Sequence, residues 1–99
     1  MIPQPRLEAI AAARTISAAQ TDQDIQATMS EIAQHPFDLG WLGYQLKVIA
    51  SIESILPENI AANLARAHDF FAIIAKGYEG KARVMCMNGF TAANIQYQG

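Results

Sequence analysis

The sequence predicts an all-α protein, a small bundle of about four helices with a less regular C-terminal segment. Three observations lead there. Apolar residues recur at helical spacing over 25–32, 39–56 and 60–74. Prolines and small polar residues stand where those segments begin, and Gly77 stands where the last one ends. The first third of the chain is rich in alanine, the strongest helix former. The 99 residues are expected to form a single helical domain over 1–99, with no repeat and no low-complexity linker.

"MIPQP" is irregular because two prolines forbid helix before Pro5, and Pro5 suits a first helical position. "RLEAIAAARTISAAQ" follows as the first helix, with Leu7, Ile10, Ala11 and Ala18 on one stripe, Arg14 inside it, and Ile16 pointing away. Thr21 or Asp22 caps the second helix by accepting from free amides of its first turn. Ile25, Met29 and Ile32 make its narrow apolar stripe, and Pro36 pushes the residue before it out of helical geometry.

The third segment, "LGWLGYQLKVIASIESIL", is the organising one. Its apolar residues cover more than half the helical circumference, leaving Tyr44, Lys47, Ser51 and Ser54 as a polar stripe. A helix apolar over so wide an arc packs on several sides. Gln45 and Glu53 fall inside the arc. A buried Glu53 needs a partner or a proton, and Arg14 or Arg66 is expected to reach it.

Pro57 starts the fourth helix, with Glu58 in its dipole-favoured first turn and Gly77 as C-terminal cap. Ile60, Leu64, Ala67, Phe71 and Ile74 form its core stripe. Beyond Gly80 the pattern weakens. "KARVMCM" suits a helix or a strand, "NG" reads as a turn, and Thr91 suits the cap of a short last helix.

Composition narrows the function classes. Apolar residues make up 52% of the chain and charged residues 16%, against about 45–50% and about 25% in ordinary soluble domains. A chain this short has a thin core, so the surplus apolar surface is expected to meet another protein or a second copy. A net charge of −2 argues against nucleic acid as partner. The charge is uneven: Glu8, Asp22, Asp24, Glu31 and Asp38 lie early, and Lys76, Lys81 and Arg83 lie late. A lone Cys86 fits a reducing compartment, no segment reads as a signal peptide, and 39–56 is too polar for a membrane span. The expectation is a cytoplasmic protein without a membrane segment.

No catalytic, cofactor or metal motif stands out. His35, His68 and Cys86 lack ligand spacing, and His68 and Cys86 read as structural side chains. Glu53 is the one candidate for a tuned carboxylate. The chain is expected to be non-enzymatic, to need no cofactor and to bind no metal.

Two binding surfaces are expected. Asn63, Arg66, Phe70 and Ile73 share a stripe of the fourth helix away from its core face, extended by Lys76 and Tyr78. Aromatic residues and arginine together are the composition of protein-binding hot spots. The alternative is an anionic ligand or nucleotide held by Lys76, Lys81 and Arg83, with Tyr78 stacking on a base. Protein binding is the leading expectation. Such a chain suits an accessory or inhibitory protein, for example one carried by a phage or prophage.

Overall fold

The computed structural model describes residues 7–98, apart from the side chains of Leu7, Glu53 and Gln98. Five α-helices follow one another: α1 (Leu7–Ser17), α2 (Asp22–Ile32), α3 (Pro36–Ala50), α4 (Glu58–Gly77) and α5 (Gly80–Gln98). A short 3-10 turn, Glu53–Ile55, joins α3 to α4. There is no strand among the described residues. The all-α reading holds, with five helices rather than four. The expected irregular start, "MIPQP" with Pro5, lies outside the described residues.

The predicted signals work where they are local. Thr21 caps α2, its hydroxyl accepting from the Asp24 amide at 3.2 Å. Pro57 stands immediately before α4, as expected, while Pro36, read as ending the second helix, is also the first residue of α3, three residues ahead of the expected start at Leu39. Ile25, Met29 and Ile32 are the buried residues of α2.

Alpha-3 is the hub. Every residue from Asp38 to Tyr44 is buried, and the helix packs against α1, α2, α4 and α5. Two expectations for this segment fail. The helix stops at Ala50, which leaves Ile52 and Ile55 exposed rather than in the core. Tyr44, placed on the polar stripe, is buried because α5 covers it: Phe90 meets it edge-on at 5.4 Å and Tyr97 stacks on it at 6.1 Å.

The most extensive packing is α5 against α3. The backbones touch there. A Cβ on Gly40 would overlap the Cys86 carbonyl, and one on Gly89 would overlap the Phe37 carbonyl. The two glycines face each other's helices like the small residues of a close crossing, where shape rather than area decides the contact. The expected turn at "NG" is therefore absent. Helix α5 runs straight through Asn88 and Gly89, and Gly89 serves close approach. The less regular C-terminal segment is a 19-residue helix. Its start needs glycine for another reason: Gly80 has φ +57°, the left-handed region, where the chain turns back from α4. Gly77, expected to cap, is the last residue of α4 and has no such backbone.

In α1 the stripe differs from the predicted one. Ala9, Ala12 and Ile16 are buried, while Ile10 is 43% exposed. An alanine-rich helix has little preference of its own about which side faces inward. Here the large side chain of Ile16, fully enclosed, sets the side. One apolar cluster draws residues from all five helices, with Ile16, Met29, Leu39, Leu42 and Leu46 at its centre.

Candidate binding site

The predicted stripe of α4 is mostly spent on holding the fold together. Asn63 donates from Nδ2 to the carbonyls of Ala19 at 3.0 Å and Ser17 at 3.5 Å, satisfying acceptors that α1 leaves open at its end. Arg66 reaches α2: Nε lies 2.8 Å from Asp22 Oδ1, and the guanidinium sits 4.5 Å over the Phe70 ring. The hydrogen bond and charge of Asp22, with a smaller contribution from Asp69, raise the Arg66 pKa further above its usual value. Phe70 is half-buried and packs against the core. Tyr78 donates its hydroxyl to the Ala33 carbonyl, closing the end of α2 onto the end of α4. Burial, and then the nearby Cys86, push the Tyr78 phenol up to about 12. Of the stripe, Ile73 stays open, at 68% exposure. The cover comes from α2, while the C-terminal segment packs on α3.

Lys76 belongs elsewhere. It lies with Phe71 and Ala75 on the wall of a groove of about 360 Å³ between α4 and α5. The opposite wall is Arg83, Cys86, Met87, Phe90 and Thr91. Its floor is aromatic: the Phe71 and Phe90 rings stack 6.4 Å apart at 11°. Gly43 allows this, since a Cβ there would strike the Phe71 ring. The floor continues a line of touching rings through Tyr44, Tyr97 and Trp41 to Phe37. The Lys47 ammonium lies 5.8 Å over the Phe90 ring, though Lys47 itself does not line the groove. No carboxylate lines the groove among the described residues. Of the expected anion-binding set, Lys76 and Arg83 thus share one rim. Lys81 is exposed but does not line the groove, and the Tyr78 hydroxyl is engaged with Ala33.

A second cleft has acidic residues in its lining. It measures about 230 Å³, lies between α1 and α2, and is lined by Glu8, Glu31, Thr15, Thr28 and His35 among others.

For the chemistry weighed from sequence, Cys86 is buried against α3 and burial raises its thiol pKa, so Lys81 and Arg83 do not activate it. Among the described residues no group of three or more His, Cys, Asp or Glu side chains is placed to hold a metal ion. The Glu53 side chain lies outside the described residues, and with it the expected pairing to Arg14 or Arg66. The buried carboxylate that is visible is Asp38, 4% exposed in the first turn of α3, where the helix dipole favours it. No described helix is long and apolar enough to cross a membrane.

Phe71, Met87 and Phe90 were not read as binding residues from the sequence. Phe71 carries a core signal, and the other two lie in the segment whose helical period was unclear. Comparison of the chain with protein families, with curated proteins and with solved structures finds no match.

Proposed function

We propose that this chain is a non-enzymatic protein-binding module, and that its contact surface is the α4–α5 groove. The observation that carries the reading is the pairing of an open floor, Phe71 stacked on Phe90, with a rim of uncompensated cations, Lys76 and Arg83. The fitting partner is an apolar helical segment flanked by acidic residues: its apolar face meets the rings and its carboxylates meet the rim. Ile73 lies outside the groove and Phe70 beneath Arg66, so the original stripe contributes at most an edge. An accessory or inhibitory protein needs no more than such a surface, because occupying a partner's helix is enough to block it.

One observation favours a second reading. A groove of this size falls within the range of small-molecule sites, and two cations beside an open aromatic ring suit a phosphate attached to a flat base.

A single experiment separates the two. A displayed library of amphipathic helices is panned on the wild-type chain and on Lys76→Glu/Arg83→Glu, and both proteins are melted with and without nucleotides at low and high salt. Protein binding predicts that the wild type enriches helices with Asp and Glu flanks, and that the charge-reversed variant enriches Lys and Arg flanks instead. Enrichment that ignores the reversal would overturn it. A salt-sensitive rise in melting temperature with nucleotide, lost in the variant, would establish the second reading.

A further inference from the structure

Asn88 is exposed, and Gly89, the central residue of α5, is buried. Asparagine followed by glycine is the dipeptide most prone to react with itself. The Gly89 amide nitrogen gives up its proton to base and attacks Asn88 Cγ. A succinimide ring closes and ammonia leaves. Water then opens the ring. Its attack at Cγ yields an aspartyl residue. Its attack at the main-chain carbonyl yields an isoaspartyl residue, whose backbone runs through Cβ and Cγ and is longer by a methylene. Glycine speeds the closure because no side chain obstructs the attacking nitrogen. Asn59, Asn63 and Asn94 precede isoleucine or leucine, which obstruct it.

The fold opposes this reaction through the backbone. Within α5 the Gly89 amide is directed along the helix, and helical geometry holds its nitrogen away from Cγ of the preceding residue. Gly89 is also pinned from outside, against the Phe37 carbonyl of α3, with no room for a methyl group. The Asn88 side chain adds no restraint, because it has no hydrogen bond to another group among the described residues.

We propose that Asn88–Gly89 is a self-modification site held shut by the α3–α5 crossing, and that its isoaspartyl product keeps α5 from closing again. Fraying at the ends of α5 does not reach its centre. The helix packs mainly on α3, so the opening that frees Gly89 is release of α5 from α3 as a unit. An isoaspartyl linkage then places its extra methylene beside Gly89, where the closed crossing has no space. Gly89 loses its seat against Phe37, and Phe90, the next residue, loses Tyr44 and Phe71. The aspartyl product keeps an ordinary backbone and closes. The glycine that lets the two helices touch thus makes the chain self-reactive when they part. This inference does not depend on what the groove binds.

The test ages wild-type protein in mildly alkaline buffer across a graded urea series and follows the tryptic peptide after Arg83 by mass spectrometry. That peptide carries Asn88 together with Asn94 as an internal control. Loss of Asn88 is expected to be at least about tenfold slower in the folded protein than in full denaturant, and to accelerate within the native range as urea loosens the fold. Gly40→Ala crowds the same crossing and is expected to age about five- to thirtyfold faster than wild type in native buffer, while Gly77→Ala, at an open site, ages no faster. The urea series makes the same measurement without a variant. The isoaspartyl fraction formed in urea, separated and returned to native buffer, is expected not to regain the cooperative melt of the wild type, whereas Asn88→Asp melts cooperatively. Equal rates for folded and unfolded protein would overturn the proposal. So would a folded Gly40→Ala protein that ages as slowly as wild type, or an isoaspartyl fraction that refolds and melts like wild type.

Discussion

Gly89 of α5 lies against the backbone carbonyl of Phe37 in α3, with no room for a Cβ between them. Gly40 lies in the same way against Cys86. These contacts let the aromatic floor of the groove form, because they hold α5 close enough for Phe90 to reach both Tyr44 and Phe71.

The glycines should therefore respond differently to alanine. In a helix interior the substitution gains about 1 kcal/mol of propensity, but overpacking against rigid backbone costs up to about 3 kcal/mol. Gly40→Ala and Gly89→Ala are expected to lose about 2 kcal/mol or more in urea unfolding. Gly80→Ala is expected to lose about 1 kcal/mol, because its backbone is left-handed. Gly77→Ala meets no atom and no unfavourable φ, and is expected to gain about 0.5 kcal/mol. Equal effects at all four positions would contradict the packing described.

Phe70 gives a second contrast. The sequence places Phe70 on a binding stripe away from the core face of its helix. Half-buried beneath the Arg66 guanidinium, the ring now belongs to the α2–α4 contact. Its truncation is expected to cost about 2 kcal/mol, less than for a fully buried phenylalanine. Ile73→Ala, at an exposed site, should stay within about 0.5 kcal/mol. Thermal melts of the two variants decide it; a Phe70→Ala protein as stable as wild type would return Phe70 to the surface.

Tyr78 predicts a pH dependence. Its folded pKa is raised to about 12 from the ordinary value of 10.0. The folded state therefore holds this proton more tightly than the unfolded state. The stabilisation is complete below pH 10 and is lost as pH rises toward 12. Tyr78→Phe, which has no proton to lose, should be less stable at neutral pH because the hydrogen bond to Ala33 is gone. The difference between the two proteins should shrink over pH 10–12. Denaturant titrations across that range read the gap, and a gap that stays constant would show that the phenol is not buried as described.

What the sequence alone determined was local. Thr21 and Pro57 mark helix starts, and Pro36 the break after α2, because capping and proline geometry act within one turn. The stripe Ile25, Met29, Ile32 was legible because polar residues surround it. The sequence also carried the separation of charge and the excess of apolar surface. Tertiary structure decided the rest. Which side of alanine-rich α1 faces inward depends on where Ile16 finds enclosure. That "NG" is helix and not turn depends on α3 needing a glycine opposite Phe37. That Lys76 stands with Arg83, while Arg66 holds Asp22, depends on how α2 and α5 settle against the central helices. Capping and period are properties of neighbours in the chain. A groove is made by residues far apart in it, and only packing brings Phe71 and Phe90 together.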